Sequence, residues 1–168
     1  MITSVSTKEI EDVLMEPGAS GLKESYFIIH GDAQDIIILN AGKNGQEFNK
    51  TEGYFRRDNG VGIFHYLFGQ GILLMQRNDQ LGEAKEFKVV TLQPGKQVVI
   101  PAGFAFAIVN IGKSFLVGLD NSLVNSKDKD FESIKERKGF AYYIVEKKGE
   151  IAFETNPSYQ VHPQIATE

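Results

Sequence analysis

From residue 25 onward the chain reads as short apolar runs in which hydrophobic side chains take alternate positions. The runs are 25–30, 35–39, 63–68, 72–76, 87–92, 97–100, 105–110, 115–120, 140–146 and 151–154. A period of two is the signature of a strand with one face buried. Each run is rich in β-branched or aromatic residues and ends at Gly, Pro, Asn or Asp. The connections carry turn chemistry: Gly31-Asp32, Asn40-Ala41-Gly42, Gly69-Gln70-Gly71, Pro94-Gly95 and Lys148-Gly149. About ten such strands at this spacing predict an all-β sandwich or barrel.

Two segments depart from that period. Ser6-Thr7-Lys8-Glu9 has the form of a capping box, and Ile10, Val13 and Leu14 then share a helical face until Pro17-Gly18 stops it. Residues 131–138 predict two helical turns with Phe131 and Ile134 inward and Gly139 as the stop. The run Lys127-Asp128-Lys129-Asp130 alternates in sign and reads as a solvated loop. No repeat, linker or low-complexity tract divides the chain. The reading is one domain, 1–168, with a core of about 24–157, an N-terminal helix and loop over 1–20, and a tail at 158–168.

Composition narrows the function. The 42% of hydrophobic residues include 12 Phe and 6 Tyr, enough for a core, which excludes a disordered chain. A formal net charge of -4 argues against nucleic acid and against an anionic membrane surface. Zero cysteines remove disulfides, thiolate nucleophiles and cysteine-bound metals. The first twenty residues lack the apolar segment of a signal peptide, and the longest apolar run is broken by Pro101 and Gly103. A cytoplasmic protein is expected.

Two stretches are more specific than a generic barrel. One runs from Gly45-Gln46-Glu47-Phe48-Asn49-Lys50-Thr51-Glu52-Gly53-Tyr54-Phe55-Arg56 to Ile63-Phe64-His65-Tyr66-Leu67-Phe68-Gly69. The other joins Pro94-Gly95 to Val98-Val99-Ile100-Pro101-Ala102-Gly103-Phe104-Ala105-Phe106-Ala107-Ile108-Val109-Asn110. Together with Gly139-Phe140-Ala141-Tyr142-Tyr143 and Asn156-Pro157 they resemble the cupin-type glucose-6-phosphate isomerases of archaea and some bacteria. The resemblance covers about residues 26–157. It implies a single jelly-roll (double-stranded β-helix) barrel with short peripheral helices, a homodimer, and a role in carbohydrate metabolism.

The chemistry of that family does not carry over. Its metal site takes imidazoles and one carboxylate, and the matching positions here are Tyr54, Arg56, Gly62 and Phe106. None is an ordinary ligand for a hard or borderline divalent ion. The resemblance thus implies a degenerate metal site, and no metal or other cofactor is expected. Thr51 and Gly53 keep two positions that resemble phosphate contacts, a third contact falls on Ile37, and the family's inward Tyr becomes Phe64.

Strand alternation aims Phe64 and Tyr66 into the cavity and His65 away from it. His30 and His162 stand too far apart in sequence to make a cluster with it. Candidate ligand-binding residues are therefore Thr51, Gly53, Tyr54, Arg56, Phe64, Tyr66 and Phe106. Gly62 would give the inward rings room, and no inward carboxylate or histidine is found to act as a base. Three readings stay open: a filled barrel with Arg56 at its mouth, a pocket where Arg56 holds a small anion such as a sugar phosphate or carboxylate, and an aldose–ketose isomerase working without the metal. A non-catalytic or anion-binding protein is the reading adopted, with glucose-6-phosphate isomerase activity as the alternative.

Overall fold

Alternation translates directly into pairing. The computed structural model describes residues 1–121 and 124–168. In chain order its strands are β1 (Ile2–Ser6), β2 (Glu24–His30), β3 (Asp35–Leu39), β4 (Lys43–Asn44), β5 (Glu47–Phe48), β6 (Phe55–Arg56), β7 (Gly62–Phe68) and β8 (Gly71–Asn78). They continue with β9 (Ala84–Thr91), β10 (Gln97–Ile100), β11 (Ala105–Asn110), β12 (Leu116–Asp120), β13 (Lys129–Asp130), β14 (Tyr142–Lys147), β15 (Glu150–Thr155) and β16 (Ile165–Thr167). The one α-helix among the described residues, α1, spans Glu132–Glu136.

Six strands form an antiparallel sheet in the order β1-β2-β3-β12-β7-β10. Four more form the sheet β11-β8-β9-β16, and the core lies between the two. This is the two-sheet cupin barrel. The inner face of the first sheet carries Leu39, Phe64, Tyr66 and Leu116, all at 0% exposure. Burying side chains of this size stabilises by roughly 1.5–3 kcal/mol each. Phe64 is accommodated by Gly118 rather than by Gly62, because a Cβ on Gly118 would stand 2.0 Å from the tip of the Phe64 ring.

The two ends of the chain differ from the sequence expectation. Ile2–Ser6 is a strand on the edge of the first sheet, and the tail returns as β16, which pairs parallel to β9. Neither run is long or apolar enough to stand out. Each is held by a partner distant in sequence. The capping box does form: Ser6 N–H donates to Glu9 at 2.6 Å and Glu9 N–H to Ser6 Oγ at 3.2 Å.

Beyond the box the chain makes a single stretch of 3-10 helix, Lys8–Val13. Its end is set by tertiary polar contacts. The buried Glu47 carboxylate accepts from Met15 N–H at 2.9 Å, and Lys50 Nζ donates to the Val13 carbonyl at 2.6 Å and to Glu47 at 2.7 Å. Those partners take the backbone groups that another helical turn would use. The alternating-charge run is also corrected: Lys129 and Asp130 pair with β6 as a short ribbon.

Candidate functional site

The run 49–54 lies alongside β11 through bridges at Lys50–Val109 and Tyr54–Phe106. Asn49 fastens its start. The Asn49 amide donates to the Ser25 and Asn40 carbonyls at 2.8 Å, and its oxygen accepts from the Ser25 hydroxyl at 2.8 Å. Thr51 is tied to Ile108 twice: its N–H donates to the Ile108 carbonyl at 2.9 Å, and its Oγ1 accepts from Ile108 N–H at 3.0 Å. Gly53 has φ +85°, a conformation costly for any residue with a Cβ. Beyond it Tyr54 enters the barrel and meets Phe106 edge-on at 5.6 Å between ring centroids.

A cavity of about 60 Å³ opens beside these residues, between the ends of β2, β3 and β12 and the segment entering α1. Its polar lining is Asp35, Thr51, Tyr54, Asp120 and Lys129. Its apolar walls include Ile37, Phe106 and Phe131. Asp35 and Asp120 are register partners on adjacent strands. The Tyr54 hydroxyl donates to Asp120 at 3.4 Å. Lys129 Nζ stands 4.8 Å from the Tyr54 ring centroid, and Phe131 packs on the same ring at 5.4 Å. Glu52, below the pocket, ion-pairs with Lys135 of α1 at 3.4 Å, and burial pushes its carboxyl above the usual range.

Of the candidates read from sequence, Thr51, Gly53, Tyr54 and Phe106 line this cavity. Phe64 and Tyr66 point inward but are packed into the barrel below it. Arg56 does not line it. Its guanidinium makes a two-point contact with Asp58, Nε and Nη2 donating at 2.9 and 2.8 Å, and a further bond to the Val61 carbonyl at 3.3 Å. The Asp58-Asn59-Gly60 turn, with Asn59 at φ +54°, folds the carboxylate back onto it. The guanidinium holds the Asp58 carboxyl down at about 2.

The missed residues are Asp35, Asp120, Lys129 and Phe131. The expectation of no inward carboxylate is thereby corrected. Asp120 shares inward parity with Leu116 and Gly118, and Asp35 with Ile37 and Leu39, so both could have been found by counting along their strands. Lys129 and Phe131 could not, because a crossing segment has no periodicity to read.

The four positions matched to metal ligands do not fit a metal. Phe106 has no donor atom, Gly62 has no side chain, and Arg56 is a cation already engaged with Asp58. The Tyr54 and Phe106 rings occupy each other's faces instead. Among the described residues, no group of three or more His, Asp or Glu side chains comes together to hold an ion.

A family model described as glucose-6-phosphate isomerase matches residues 23–161. The glucose-6-phosphate isomerase of Pyrococcus furiosus is 31% identical over 124 residues, which are 73% of this chain and 62% of that protein. The chain thus spans less than two thirds of the length of this curated relative. Among solved structures the chain is similar to the Drosophila melanogaster CENP-C cupin domain, at 10% identity and a TM-score of 0.41 over 64% of this chain and 71% of that one. It is also similar to oxalate decarboxylase from Bacillus subtilis, at 21% identity and a TM-score of 0.39 over 52% of this chain and 20% of that one.

Proposed function

The chain belongs to the cupin-type glucose-6-phosphate isomerase family, and from that premise we propose that it is a non-catalytic member that binds a small ligand in the pocket at the barrel mouth. One observation carries this reading. The positions that correspond to metal ligands have become an aromatic contact, Tyr54 on Phe106, while the cavity beside them stays open and lined with polar groups. A barrel that had merely been filled would have no reason to keep it. Arg56 is not the ligand's anchor in this reading, because its charge is balanced by Asp58 at the surface.

Binding at this site raises the melting temperature by mass action. A thermal-shift series with fructose, fructose 6-phosphate and simple carboxylates tests the reading. Tyr54→Leu should remove the shift and Arg56→Ala should keep it. A shift that survives Tyr54→Leu would put the ligand elsewhere and defeat the proposal.

The second reading, isomerisation without a metal, draws on one contact. The Asp120 carboxylate beside the Tyr54 hydroxyl is a base next to a proton donor. Moving a proton between adjacent sugar carbons also needs stabilisation of the enediolate, which a metal supplies at several kcal/mol. Lys129 is the one cation among the described lining residues able to take that part. Loss of a single well-placed donor costs about 100- to 1000-fold in rate, so this arrangement predicts at best a poor enzyme.

A further inference from the structure

The sequence alone suggests an anion for this barrel. The pocket's own charges suggest the opposite. Asp35 and Asp120 sit directly across from each other on β3 and β12, both with inward parity. Like charges in that relation destabilise a sheet unless a cation compensates them. His30, at 3.4 Å from Asp35, lies on the far side of the pair. The guanidinium that could have supplied positive charge is turned to Asp58. The position matched to a phosphate-contacting hydroxyl is Ile37, and the Thr51 oxygen already accepts a backbone N–H. An incoming phosphate would meet two carboxylates and one ammonium.

That ammonium indicates what the pocket does accept. Lys129 reaches in from the short ribbon that crosses the mouth, and its Nζ stands over the Tyr54 ring at 4.8 Å. Aromatic faces attract cations through the negative charge of the ring's π-face, and carboxylates complete such a site. An ammonium brings three donors and no acceptor, which matches a lining rich in acceptor oxygens. A cavity of about 60 Å³ suits a head group of a few atoms and not a hexose phosphate.

We propose that the mouth pocket is an ammonium site, filled in this conformation by the chain's own Lys129, and that its ligand is a small organic amine that displaces Lys129. The proposal rests on the reading of this pocket as the ligand site and specifies what binds there. The tethered side chain competes with the free ligand as if present at millimolar concentration. Removing it should therefore tighten amine binding, by roughly tenfold or more.

The probe is n-butylammonium, which has the shape of the lysine side chain. Its affinity is measured by calorimetry at constant ionic strength for the unchanged chain and for Lys129→Ala, with sodium phosphate and fructose 6-phosphate titrated in parallel. Lys129→Met, which keeps the aliphatic stem, replaces Lys129→Ala should the latter fail to fold. The expected result is n-butylammonium binding at least tenfold tighter in the variant, lost again when Asp120→Asn is added. Equal affinity in both chains, no amine binding in the variant, or a preference for phosphate overturns the proposal. Fructose 6-phosphate binding without amine binding defeats the amine assignment and spares the ligand-site reading. Absence of every one of these ligands defeats both.

Discussion

Gly118 decides where the largest inward ring of β7 can lie. A Cβ added there would sit 2.0 Å from the Phe64 ring tip and 2.6 Å from its neighbour, and Phe64 has no exposed surface into which to move. Gly118→Ala is therefore expected to cost at least about 1–3 kcal/mol in chemical denaturation, the usual range for overpacking. Phe64→Leu in the same chain should recover part of it, giving a coupling of about 0.5–3 kcal/mol. Additive effects would show that the ring relaxes elsewhere.

Arg56 is tested by titration. Asp58 is held at about 2 against an ordinary 3.8, chiefly by the hydrogen bonds from Arg56. A depressed carboxyl contributes stability that is present above its unfolded value and is lost as pH falls from about 4 through about 2. An NMR titration should place the Asp58 midpoint near 2, and Arg56→Ala should raise it toward 3.8. An unmoved midpoint in the variant would dissolve the pair. At this scale the sequence shows residue types and strand parity, hence Thr51, Tyr54 and Phe106. It does not show that a guanidinium will choose a carboxylate two residues away over a cavity.

Among the elements, the runs at 35–39, 97–100 and 105–110 coincide with β3, β10 and β11 residue for residue, because alternation and turn residues agree there. β1 and β16 were illegible for a common reason. Each is short, sits at a sheet edge and depends on a partner distant in the chain. The 3-10 turn shows how tertiary contacts override a local signal. Its end is fixed by Glu47 and Lys50, buried with side-chain exposures of 1% and 9%.

Breaking such a pair strands one charge in the core. Glu47→Ala is expected to destabilise by about 3–5 kcal/mol. Lys43→Ala removes a half-exposed partner of Glu146 and is expected to cost under about 1 kcal/mol. Comparable losses for the two variants would mean that the turn is not held by the buried pair.

At the scale of the whole molecule, the outer face of the six-stranded sheet is nearly all apolar. Val99 is the register partner of Ile63, and Leu119 lies between His65 and Ile36. Ile38 is next to Phe27, and Ile29 next to Ile2. Val99 and Phe68 remain 55% and 56% exposed. A face of this kind calls for a partner, and a second copy packed sheet to sheet is the one we propose, since a homodimer is what the family resemblance implies. Light scattering should give a dimer at micromolar concentration, and Val99→Asp with Phe68→Asp should give a folded monomer. A monomer in the unchanged chain removes the claim.

Family membership and the lost ligand set point in different directions, and activity decides between them. The most direct measurement is a coupled assay for conversion of fructose 6-phosphate to glucose 6-phosphate, run on the chain alone and with iron, manganese, nickel or zinc added in turn. The account predicts no turnover above buffer under any of these conditions. Metal-dependent turnover would mean that ligands exist outside Tyr54, Arg56, Gly62 and Phe106. Metal-independent turnover abolished by Asp120→Asn would make the chain an enzyme built on the Asp120–Tyr54 contact, and would contradict the central claim outright.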